Sequence, residues 1–97
     1  MTYYYRIRAF VDGIKEEAVC SAVDTADALD AFKRLPAPDT RCAFEEYPIE
    51  IAMVHRVAFR ESGPVFEDAS HEIPSNWNRA GFHDALKFYK PTTEVLP

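Results

Sequence analysis

The stretch YYYRIRAFVDGIKEEAVCSA, residues 3–22, sets two runs of alternating character on either side of Asp12-Gly13. An Asp-Gly pair in a two-residue loop favours a type I′ turn, whose central residues both take positive φ, and a loop of that length fixes the register of the strands it joins. Counting outward, Val11 faces Ile14, Ala9 faces Glu16, Ile7 faces Ala18, Tyr5 faces Cys20 and Tyr3 faces Ala22. Because residues two apart share a side of a strand, this register gathers most of the apolar side chains on one face. The other face sets Arg8 against Glu17, a cross-strand ion pair that accounts for both residues without a ligand. Tyr4 and Phe10 remain there as candidate contacts.

A hairpin needs a layer to cover it, and VDTADALDAFKRLP, residues 23–36, supplies an amphipathic helix. Ala28, Leu29, Phe32 and Leu35 form its apolar stripe. Asp24 or Thr25 is the N-cap, Asp27 lies in the first turn and Lys33 and Arg34 in the last, as the helix dipole favours. Pro36 and Pro38 forbid continuation. Asp39 to Tyr47 reads as a loop or short edge strand carrying Glu45 and Glu46.

From Ile49 to Arg60 the odd positions Ile49, Ile51, Met53, Val57 and Phe59 alternate with polar residues, which predicts a half-buried strand with His55 on its apolar side. A turn at Glu61-Ser62-Gly63 returns the chain through Pro64 to Glu67 as a possible fourth strand, confined by the proline to an edge. Trp77 reads as a core or helix-entry residue. A second helix over Asn78 to Tyr89 carries Phe82, Ala85, Leu86 and Tyr89 on one stripe before Pro91 stops it, and residues 91–97 read as a tail. The fold expected is α+β: a small antiparallel sheet, in the order strand-strand-helix-strand-(strand)-helix, with two helices packed on one face.

The chain has 97 residues, 47% of them hydrophobic, and three glycines. That is one domain, residues 1–97, too apolar to stay disordered. A formal charge of −5 disfavours direct contact with nucleic acid or anionic lipid. No segment has the order of a secretory leader or the length of a membrane span, which points to a cytoplasmic monomer. Cys20 and Cys42 show no metal-like spacing and read as reduced thiols. His55, His71 and His83 form no short-spaced ligand pair, so neither metal nor other cofactor is expected. His71-Glu72 and His83-Asp84 are neighbours in sequence, which seldom face each other, and read as solvated surface. No nucleophile elbow, phosphate loop or zinc-protease motif is present, and the chain reads as a binding protein, not an enzyme.

The acidic residues carry what remains. Between Asp24 and Glu72 eleven carboxylates stand against five basic residues. Asp24, Asp27 and Asp30 recur at every third position of the helix, where side chains lie about 5 to 6 Å apart. That interval is comparable to the charge spacing of a nucleic-acid backbone. Such a ridge fits a protein groove built for phosphates.

A short acidic α+β chain with a tyrosine-rich first hairpin, a VDTADALDAF helix and no catalytic motif resembles the anti-CRISPR proteins of phages and prophages, in particular acidic inhibitors of type I-F surveillance complexes. The resemblance covers the chain in size and character and carries no shared motif. It implies a viral protein that acts in the cytoplasm of the bacterial host cell and binds the RNA-guided CRISPR surveillance complex. Its contacts would be lysines and arginines of the large subunit and the Cas5-type subunit, and it would block target DNA by mimicry or by bulk. On that reading Asp24, Asp27 and Asp30, joined by Glu45 and Glu46, stand in for phosphates. The alternative is a small cytoplasmic interaction or regulatory module unrelated to nucleic acid.

Overall fold

The computed structural model of the chain describes residues 1–35 and 48–88. Glu45, Glu46, Cys42, Tyr89, the segment 39–47 and the tail 91–97 lie outside the described residues. Four strands, β1 (Tyr3–Val11), β2 (Ile14–Ala22), β3 (Ile49–Arg60) and β4 (Gly63–Asp68), form one sheet in the order β2-β1-β3-β4. Every neighbouring pair is antiparallel. Helix α1 (Thr25–Arg34) follows β2, and a short helix α2 (Phe82–Ala85) runs into a 3₁₀ turn at Leu86–Phe88. The class is α+β, as the sequence implies.

The first hairpin has the register that its turn dictates, from Val11↔Ile14 to Tyr3↔Ala22. Asp12 and Gly13 take φ of 52° and 80°, the two positive values of a type I′ turn. Arg8 Nε meets Glu17 Oε2 at 2.6 Å across the pair. The odd positions Tyr5, Ile7, Ala9 and Val11 are wholly buried with Ala28, Leu29 and Phe32 of α1. Cys20, on the same side, donates its thiol to the Ala28 carbonyl at 3.6 Å. Burial, and after it Asp27, pushes the Cys20 thiol above its ordinary range, and the side chain packs against the core.

In β3 the alternation changes phase. Ala9 pairs with Ile51 and Arg8 with Met53, so Ala52 is the extra residue of a bulge. Ile49 and Ile51 face the core, and beyond the bulge Val54 takes their place. Met53, His55, Val57 and Phe59 therefore turn to the other face, contrary to the unbroken alternation expected. There the Arg6 guanidinium lies 3.9 Å from the centre of the Phe66 ring and His55 packs beside the same ring.

β4 pairs with His55–Arg60 only, which leaves the nearer half of β3 needing bonds on that side. The chain supplies them in sequence. Ala69 and the Ser70 hydroxyl bond Val54, and Asn78 and Ala80 bond Ile51. Helix and rung compete for the same backbone, so Asn78 to Ala80 are extended and the helix begins only at Phe82. The long second helix expected over Asn78 to Tyr89 is accordingly absent from the described residues, and Phe82 on its intended stripe is 75% exposed. The segment also changes sides. Trp77 packs against the core, as expected, whereas Phe88 stacks on Phe10 at 5.1 Å, on the face opposite α1. Phe10 is thereby covered, and Tyr4 stays half exposed.

The turn after β4 is held by Asp68, whose Oδ1 accepts the Ser70 N–H at 2.9 Å. The Ser70 backbone and hydroxyl, then His55 and His71, hold the Asp68 carboxyl below its ordinary 3.8. A depressed carboxylate contributes stability above its unfolded pKa and loses it as pH falls through the folded value. Asp68→Asn should therefore flatten the fall of stability with pH below that 3.8, measured by urea unfolding from neutral pH downward. An unchanged acid limb counts against this role.

Candidate functional site

The acidic helix face is fixed in place from both ends. Asp24 is the N-cap and its Oδ1 accepts the Asp27 N–H at 2.8 Å, while Asp27 Oδ2 accepts the Val23 N–H at 3.2 Å. This reciprocal arrangement is a close variant of the capping box, with aspartate in both roles. At the other end the Leu35 N–H reaches back to the Phe32 carbonyl.

Beneath the first turn the Thr25 hydroxyl donates to Glu72 Oε1 at 3.1 Å, and Arg56 Nη1 lies 3.1 Å from Glu72 Oε2. Thr25 is 1% exposed, so this link ties α1 to β3 in a sheltered setting. Glu72 also stands 3.5 Å from His71 Nε2, so these sequence neighbours do meet, although His71 itself is exposed.

Asp24, Asp27 and Asp30 are all exposed on the side of α1 away from Ala28, Leu29 and Phe32. The three carboxylates thus share one face, and two of them spend one oxygen each on the cap. Asp30 borders a shallow polar cleft with Lys33, Asn76, Trp77 and Asn78. Lys33, one turn beyond Asp30, ends the run of negative charge. Glu45 and Glu46, the other two residues expected to join the ridge, lie outside the described residues. The D-x-x-D spacing carries a signal for the cap, but the support from Glu72 has no local signature because it comes from 47 residues away.

Among the described residues no group of three or more His, Cys, Asp or Glu side chains is placed to hold a metal ion. None of their helices is long and apolar enough to cross a membrane. Comparison of the chain with protein families, with characterised proteins and with solved structures finds no match, and the geometry of the acidic face carries the functional reading.

Proposed function

We propose that the protein is a binding inhibitor that offers the outer face of α1 to a basic groove made for nucleic-acid phosphates, in the manner of the anti-CRISPR proteins it resembles. The observation that supports this is the joint exposure of Asp24, Asp27 and Asp30 on one face of a helix anchored by its own cap and by the Thr25–Glu72–Arg56 link. A rigid array costs less order on binding than the same charges on a loose segment. Complementary charge also speeds encounter and excludes wrong partners. The partner on this reading is a type I-F surveillance complex, engaged through the lysines and arginines that grip target DNA.

The experiment is a gel-shift competition between this protein and a target duplex for the purified complex. The expected result is displacement of the duplex as protein is added, with weaker displacement at higher salt, because exposed charges are screened over about 8 to 10 Å near physiological ionic strength. A saturating excess of protein that leaves DNA binding untouched rules the proposal out.

A further inference from the structure

Strand β2 forms one edge of the sheet over its whole length. The two-residue turn closes with bonds between Val11 and Ile14, and along an antiparallel strand the direction of backbone bonding then alternates. Ile14, Glu16, Ala18, Cys20 and Ala22 therefore bond β1, and Lys15, Glu17, Val19 and Ser21 turn their N–H and C=O groups outward. None of these outward groups meets a backbone partner among the described residues. Their side chains are all exposed, on the face away from α1, and Val19 is 62% exposed.

Sheets commonly guard such an edge with a proline, a bulge or a covering segment. The opposite edge has two of these: Pro64 lies in β4, and the segment from Ala69 to Ala80 bonds the rest of β3. β2 has none, and it pairs with β1 through nine unbroken rungs. Its charges, Lys15, Glu16 and Glu17, gather in the half nearer the turn, and the half from Ala18 to Ala22 is uncharged. A strand divided in this way complements a reversed copy of itself. Outward residues must meet outward residues, so the two-fold axis of such a pair passes through a residue. With the axis at Ala18 all nine residues pair: Lys15 meets Ser21, Glu16 meets Cys20 and Glu17 meets Val19. The charged half of each strand then lies against the uncharged half of the other, and the exposed Val19 is covered by the stem of a glutamate. An axis at Glu16 or Glu17 opposes that carboxylate to its own copy, and an axis beyond Ala18 leaves fewer rungs.

We propose that the protein forms a two-fold dimer in which β2 pairs antiparallel with β2 of a second copy about Ala18, joining the two sheets into one. The pairing uses none of the α1 carboxylates and stands apart from the inhibitor reading. It closes on itself, because each copy spends its unguarded edge on the other.

The test is sedimentation equilibrium of the full chain from micromolar to millimolar concentration, with amide exchange followed by NMR at both ends of that range. The mass is expected to rise from 11.1 kDa toward twice that value. Exchange should slow at the high end for Lys15, Glu17, Val19 and Ser21, whereas Ala18 and Cys20 are protected throughout. Val19→Glu sets carboxylate against carboxylate on both sides of the axis and should weaken the dimer about tenfold or more. Val19→Lys meets Glu17 of the second copy with opposite charge and should leave the dimer at least as tight, which separates the charge effect from loss of the valine. A chain that stays at 11.1 kDa at millimolar concentration, a dimer without added protection at those four amides, or equal weakening by the two Val19 variants each overturns the proposal.

Discussion

Replacing Phe32 with alanine is expected to destabilise the domain by about 3 to 5 kcal/mol, the range for truncating a buried aromatic side chain in a core that only partly collapses. Phe32 is wholly buried at the centre of the α1 stripe, in one cluster with Tyr5, Ile7 and Leu29. It is the largest of the three α1 side chains, with Leu29 and Thr25, among the largest fully buried ones. A small domain holds together by about 5 to 15 kcal/mol, so this one change removes a large share of the total. Urea unfolding followed by circular dichroism should show a lower midpoint with an unchanged slope, the mark of altered stability without a change in the surface exposed. Lys33→Ala, on the exposed side of the same helix, should shift the midpoint little. A Phe32→Ala midpoint as close to the parent as that of Lys33→Ala would mean that α1 does not close the core.

The contrast between those two positions was open to reading because α1 is local. Its cap, its stripe and its proline stop lie within fourteen residues, and the first hairpin is likewise set by its turn and a period of two. What escaped the sequence depends on distant backbone. Ala52 is an unremarkable residue in an apolar run, and only the pairing of β1 with β3 makes it a bulge that sends His55 and Phe59 to the opposite face. The spacing of Phe82, Ala85 and Leu86 suits a helix, yet Asn78 and Ala80 are drawn into bonds with Ile51 that a helix start would break. Local periodicity yields there to the need to satisfy a strand's bonds. The acidic face divides in the same way: the cap at Asp24 follows from residue type and place, whereas the Glu72 anchor needs the fold.

That division shapes the mutation that tests the acidic face. Reversing Asp27 to lysine removes a charge and also breaks the link to Val23, so lost inhibition would have two explanations. Asp24→Ser with Asp27→Gln keeps a capping box, since serine at the cap and glutamine three residues on can make both reciprocal bonds. Asp30→Gln is simpler, because no hydrogen bond or ion pair involves its side chain among the described residues. The triple variant removes three negative charges while preserving the cap and the buried stripe. If the carboxylates meet lysines or arginines in a desolvated groove, losing even one such pair costs about 2 to 5 kcal/mol, which is more than tenfold in affinity. The variant should then displace target duplex at least tenfold less well in the gel-shift competition, with an unchanged dichroism spectrum and a shallower dependence on salt. Rim contacts would produce a smaller loss, concentrated in the association rate. A triple variant that inhibits as well as the parent, with the same response to salt, would reduce Asp24 and Asp27 to a helix cap and Asp30 to solvated surface.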